Sequence, residues 1–297
     1  MKYFFQTSVA LLCVLGSQLV QASNLERLFA PNAELWEVWA TQNATSKQSI
    51  DHQTWSLFLL NNVIHVKDGI NRINYAAVSK EDKLQLKEYL SALSEINISN
   101  YPRTQQLPYW INLYNALTVD IVLQHYPVES IRDIDVSPGF FSDGPWDKKL
   151  LKIEEHMVSL NDIEHRIIRP IWKDRRVHYA LNCASIGCPN LQTEAYTAKN
   201  IDKLLKKAIQ EYINHPRGVS LIDSELMVSS IYNWFQDDFG TNEQDVLNHI
   251  RQYANPELQK QLNNIELISN YEYDWSLNDT QPKTIHQEMN DEFDSTD

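Results

Sequence analysis

Along the N-terminal part of the chain the apolar residues recur as one-sided stripes. Leu25, Leu28, Phe29, Leu35, Trp36, Trp39 and Trp55 predict helix over residues 24–60, with the polar stretch 42–49 as a linker. Residues 63–75 alternate apolar with polar around Asp68 and Gly69, a hairpin pattern. Residues 84–96 return to helical spacing. Residues 108–123 are apolar on nearly every side, which predicts a central helix, and Pro108 suits its first turn. Residues 159–162 form a capping-box-like start to another helix. Its apolar stripe is Leu160, Ile163, Ile167 and Ile168, and Pro170 should end or kink it. Residues 177–181 are a β-branched and aromatic run, read as a short buried strand. After it, the pattern predicts an amphipathic helix at 199–213 and a hairpin at 219–228. One short aromatic-rich helix at 230–239, helices at 246–254 and 258–262, and a strand at 265–275 complete the order. The sum is an α+β chain, mostly helical, forming a single domain around a small antiparallel sheet that carries 177–181.

Composition narrows the function classes. Eight Trp, fourteen Tyr and 43% hydrophobic residues in 297 exclude a disordered protein. A formal charge of −13 argues against a nucleic-acid partner or an anionic lipid surface. Residues 1–22 read as a signal peptide: Lys2, an apolar stretch over 3–15, and Val20-Gln21-Ala22 as a small-residue cleavage site. The apolar run is too short for a spanning helix. The expectation is an exported protein, periplasmic or secreted, without stable membrane insertion after cleavage. Residues 23–53 form an N-terminal helical segment, and the acidic, aperiodic stretch 279–297 is expected to be disordered.

Cleavage would remove Cys13 and leave Cys183 and Cys188 on a tight loop broken by Gly187 and Pro189. Two chemistries fit that pair. One is a thiol nucleophile: Cys183 with His178 or His165 as base, oriented by Glu164, Asp274 or an asparagine. The other is a disulfide, which parity and compartment favour; a redox-active version is a third, weaker reading. Glu164 falls on an apolar stripe, where a carboxylate is costly unless paired with an arginine or used chemically. His165 and Arg169 lie four apart on an adjoining face. Asn112 and Asn115 share one face of the central helix, where they either fasten neighbouring loops or line a site. The nine histidines form no paired metal motif, and phosphate loops, nucleophile elbows and dinucleotide fingerprints are absent, so neither metal nor cofactor is expected.

Several stretches together resemble the family called domain of unknown function 547. They are residues 109–117, Ile163-Glu164-His165, residues 178–183 with 188–191, residues 234–239 and residues 273–278. The resemblance spans roughly 54–278, taken as the main domain, and the chain reads as a bacterial, exported member. The resemblance implies that the asparagines, the Glu-His pair and the first cysteine are the recurring residues. Serine replaces the second cysteine in some plant members, which favours Cys183 as the functional sulfur. The histidine-before-cysteine order is similar to permuted papain or transglutaminase-like hydrolases. The implied reading is a cysteine-dependent hydrolase or acyltransferase acting on an amide or ester of a small-molecule or peptide-like substrate. Its nucleophile would be Cys183, its base His178 or His165, its orienting acid Glu164, and Asn112 or Asn115 an oxyanion or positioning group. The rival is a non-enzymatic binding or assembly protein with a structural Cys183–Cys188 bond.

Overall fold

The computed structural model describes residue 27, residues 30–139 and residues 143–280. The signal sequence expected at 1–22 and the tail from 281 onward lie outside the described residues. The architecture is α+β and mostly helical, as the patterning implies, but with three small sheets in place of the single antiparallel one expected. The chain groups into two units, one of Ala33–Glu211 with Asp274–Asp297, the other of Met1–Asn32 with Tyr212–Tyr273.

In the larger unit, helix α1 (Gln53–Asn62) leads into the antiparallel pair β1 (Val63–His65) and β2 (Asn71–Ile73). The expected turn lies between them. Gly69 has φ 83, and the Asp68 carboxylate accepts the Ile70 N–H. Helix α2 (Lys80–Ser94) opens on Ser79, whose hydroxyl accepts the Asp82 N–H, with Glu81 and Asp82 complementing the helix dipole. Helix α3 (Arg103–His125) is the core of this unit: from Gln106 to Val122 every residue except Asp120 is buried. It begins five residues before Pro108, so that proline sits inside the helix and not in the expected first turn. Its missing N–H forfeits one bond, close to the helix start, where the loss is tolerated.

The N-terminal stripe is corrected more substantially. Residues 31–36 are non-helical and only Glu37–Ala40 makes a 3-10 turn. The tryptophan spacing there reflects packing: Trp39 meets Trp110 edge-on at 5.0 Å and Trp36 at 5.8 Å.

The unforeseen hairpin β3 (Leu151–Ile153) and β4 (His156–Val158) turns at Glu154 with φ 49. Next comes the helix read at 159–169. Its middle, Asp162–Ile168, is a π-helix, and it continues as α4 (Arg169–Trp172) to a left-handed Lys173. Pro170 neither ends nor breaks it. Having no N–H, Pro170 leaves the carbonyls four and five residues back without a helical donor. Those are Arg166 and His165, and both accept instead from the passing chain, from Trp36 N at 3.0 Å and Glu34 N at 2.9 Å.

The strand expected at 177–181 is a 3-10 turn, Arg175–Tyr179. Asp174 caps it by accepting the Arg176 N–H, and the same carboxylate holds the Arg176 side chain. The apolar run is buried because it is enclosed, which a short run cannot reveal by period. Helix α5 (Ile201–Ile213) follows as expected and supplies Leu204 and Leu205 to this core. Disorder was expected from residue 279, but Asp279 is buried and accepts a hydrogen bond from Tyr126 Oη.

In the smaller unit, β5 (Val219–Ile222) and β6 (Glu225–Ser229) form the expected hairpin, and β7 (Asn270–Glu272) joins β6 in parallel. The single helix expected at 230–239 is two, α6 (Ile231–Trp234) and α7 (Gln236–Phe239), separated at Phe235. Helices α8 (Glu243–Tyr253) and α9 (Pro256–Leu262) are capped by Asn242 and Asn255. Among the described residues no helix is long and apolar enough to cross a membrane.

Candidate functional site

Two asparagines on the central helix set the geometry. Asn115 lies against the cysteine loop: its Nδ2 donates to the Ala180 carbonyl at 2.8 Å and its Oδ1 accepts the Asn182 N–H at 2.9 Å. One turn earlier Asn112 does the same for Tyr196, donating to its carbonyl at 2.7 Å and accepting its N–H at 3.0 Å. Both amides are almost fully buried. Each clamps a backbone segment, as the fastening reading of the sequence expects.

The loop is braced from within and from outside. Asn182 Nδ2 donates across it to the Pro189 carbonyl at 2.8 Å, and its Oδ1 accepts the Ala184 N–H at 2.9 Å. That internal turn holds Ala184 at φ 60, a left-handed conformation unusual for a residue with a Cβ. Outside, residues 274–278 run alongside. Ile186 N donates to the Ser276 carbonyl and Gly187 N to the Asp274 carbonyl, both at 2.8 Å, while Asn278 N donates to the Ala184 carbonyl at 3.0 Å. The buried Asn278 side chain links Asn182 to the Tyr75 hydroxyl. At the far end Asn190 takes the place of a strand against the first hairpin, accepting the Asn71 N–H at 2.9 Å and donating to the Gly69 carbonyl at 3.0 Å.

Within this frame Cys183 and Cys188 are joined as a disulfide, with their Cα atoms 6.3 Å apart. The Cys183 N–H points at Cys188 Sγ at 2.9 Å, and Cys183 Sγ lies 3.4 Å from the Ser185 hydroxyl. Cys188 is buried, whereas Cys183 is partly exposed. An approaching reagent therefore meets Cys183 first.

The titratable groups gather on the π-helix and the 3-10 turn that leads into the loop. Glu164 is buried, with Oε1 3.9 Å from His178 Nδ1 and Oε2 4.0 Å from His165 Nε2. These separations exceed direct hydrogen bonds and lie within strong electrostatic reach. The groups flanking the carboxylate are imidazoles; a guanidinium stands one step further, with Arg169 Nη1 2.9 Å from His165 Nδ1. The Arg169 bond closes the π-helical stretch from the other side too, since its N–H reaches the Glu164 carbonyl five residues back. π-Helical turns of this kind recur where a helix presents functional side chains.

The structure thus brings Glu164, His165 and His178 together and ties Asn115 to the loop of Cys183. Asn112 serves a different loop. Asp274 is exposed and spends its carboxylate on the Ser276 N–H at 2.9 Å, outside the buried cluster. Sequence reasoning missed Asn182 and Asn278 as braces, and it saw the His165–Arg169 spacing without the contact. Among the described residues no group of three or more His, Cys, Asp or Glu could hold a metal ion.

Comparison with curated proteins and with solved structures finds no match. Residues 98–213, which run from the short turn before the central helix through the Glu-His pair and the cysteine loop to the end of α5, match the family described as "Protein of unknown function, DUF547". Over that segment the chain is similar to the DUF547 family.

Proposed function

We propose that this protein is a cysteine-dependent hydrolase or acyltransferase acting on an amide or ester, with Cys183 as nucleophile and the Cys183–Cys188 disulfide as the resting form of its site. The observation that carries the reading is Glu164, a buried carboxylate set between two imidazoles on the segment that runs into the cysteine loop. Buried carboxylates are costly, and a carboxylate beside imidazoles is an arrangement that general acid–base chemistry uses. The greater exposure of Cys183 supports its assignment over Cys188.

In the working form a dithiol reductant has taken up the disulfide, leaving two protein thiols and its own oxidised disulfide. The Cys183 thiol proton passes to a histidine as the sulfur–carbon bond forms and the carbonyl π bond opens. The proton then moves to the leaving amine or alcohol as the C–N or C–O bond breaks, and water or a second acceptor takes the acyl group from sulfur. The proposal places this chemistry in the periplasm or outside the cell, on the strength of the signal-like residues 1–22.

A second reading has its own support. The hydrogen-bonded bracing of the loop by Asn115, Asn182 and Asn278 also suits a rigid, non-enzymatic binding or assembly surface. Alkylation of the full-length chain, after mild dithiol treatment and across a pH series, separates the two. Cys183 should react well below about pH 8.5, the ordinary cysteine range, and faster than Cys188. Cys183→Ala should remove hydrolysis of an ester and amide panel while the circular dichroism spectrum stays unchanged. Retained hydrolysis, or a disulfide that opens only on unfolding, overturns the thiol-enzyme reading in favour of the second.

A further inference from the structure

Arg169 is buried at the start of α4, and its Nη1 lies 2.9 Å from His165 Nδ1. A guanidinium has five N–H donors and no acceptor. The histidine nitrogen in that contact must therefore accept, which means that Nδ1 carries no proton. A neutral imidazole keeps its one proton on the other nitrogen, and here that is Nε2, the atom 4.0 Å from Glu164 Oε2. Protonating Nδ1 as well would break this bond and bring two cations into contact in a buried setting. From Arg169 onward the donors and acceptors then run in one direction: guanidinium to His165 Nδ1, His165 Nε2–H towards one carboxylate oxygen, and the other oxygen towards His178 Nδ1 at 3.9 Å. Nδ1 is the His178 nitrogen nearer the carboxylate, which leaves proton exchange to Nε2.

We infer that Arg169 is a positioning residue that fixes His165 as its neutral Nε2–H tautomer, and that the proton-accepting histidine for Cys183 is therefore His178 and not His165. The second half rests on the thiol-enzyme reading above; the first does not. His165 acts on the reaction through Glu164, which lies within electrostatic reach of its Nε2. The Cys183 thiol proton goes to His178 Nε2 and leaves from there to the departing amine or alcohol.

The test is a long-range proton–nitrogen correlation spectrum of the imidazoles in histidine-labelled, full-length protein at neutral pH, assigned with His165→Gln and His178→Gln. The wild type should show His165 with its proton on Nε2 and a bare Nδ1. Arg169→Met should release that pattern into a tautomer mixture or a doubly protonated ring, and Arg169→Lys, which restores a donor, should recover it. A His165 proton on Nδ1 in the wild type overturns the inference, and this observation needs no variant to fold. So does an unchanged pattern in Arg169→Met.

The base is assigned by iodoacetamide trapping of Cys183 in the reduced protein. His178→Gln should slow it about tenfold or more, and His165→Gln should slow it less. The opposite order overturns the assignment to His178. An inert Cys183 beside an intact His165 tautomer overturns the thiol-enzyme reading and leaves the role of Arg169 standing.

Discussion

Replacing Asn115 by alanine should destabilise the protein far more than the loss of one amide suggests. The side chain is 2% exposed and completes two buried bonds, to the Ala180 carbonyl and from the Asn182 N–H. Alanine leaves both backbone groups in place with nothing to replace the amide. A buried polar group left without its partner costs about 1–3 kcal/mol, so the pair should cost about 2–6 kcal/mol. A domain of ordinary stability has only about 5–15 kcal/mol in total. Urea unfolding at neutral pH, followed by far-ultraviolet circular dichroism and by tryptophan fluorescence, would read the difference as a shift of midpoint at constant slope. Asn248→Ala, on the exposed face of α8, is the control and should stay within about 0.5 kcal/mol of wild type. If Asn115→Ala matched that control, the claim that the central helix anchors the cysteine loop through this amide would be wrong.

Acid should weaken the fold through His52. Burial, opposed by nearby Asp51, lowers its pKa from 6.5 to about 4, while its Nδ1 lies 2.7 Å from the Tyr89 hydroxyl. The unfolded chain takes up a proton below pH 6.5 that the folded chain refuses until about pH 4. Stability should therefore fall by about 3 kcal/mol as pH drops through that window, and His52→Gln should flatten this part of the urea midpoint against pH. Asp162 offers a contrast. Burial alone would raise its carboxyl, but bonds from Lys149, Ser159 and Arg166 outweigh burial and lower it. Its contribution is present above the ordinary aspartate range and is lost as pH falls through its lowered value. At neutral pH, Asp162→Asn should cost about 1–3 kcal/mol in thermal or urea unfolding, and a neutral result would mean that the π-helix start holds without it.

The central helix was legible because its apolar residues leave no polar side, and the structure buries all but one residue from Gln106 to Val122. Glu164 was legible for the opposite reason, a charge on an apolar stripe. Two partners were open for it in the sequence, an arginine or the histidines it would orient, and the imidazoles of His178 and His165 are the ones that stand beside it. The strand predicted at 177–181 failed on a competition between signals. The β-branched run outweighed Asp174, whose capping bond to Arg176 starts the 3-10 turn. The π-helix had a readable clue in Pro170, which denies a donor to both Arg166 and His165, but the rescue by Glu34 and Trp36 is long-range. Asn182 and Asn278 look like ordinary loop asparagines in sequence, and only their contacts in the fold, with Pro189, Tyr75 and each other, mark them as braces.

The bracing also bears on what the disulfide is for. Its cysteines are five positions apart, and closing so short a loop restricts the unfolded chain by only about 2 kcal/mol. The same span is already bridged by Asn182 reaching the Pro189 carbonyl, and its backbone is tied to Asn115, Asp274, Ser276 and Asn278. Cutting the sulfur–sulfur bond removes one tie among six. The reduced protein should lose about 2 kcal/mol or less in urea unfolding, and the fluorescence and near-ultraviolet dichroism of Trp275, next to the Ser276 that holds Ile186, should be unchanged. A larger loss, or a changed aromatic signal, would mean that the sulfurs hold the loop and the asparagines follow. With the small loss, Cys183 can pass between bonded and thiol forms while Glu164, His165 and His178 keep their places, and a nucleophile stored as a disulfide requires that independence.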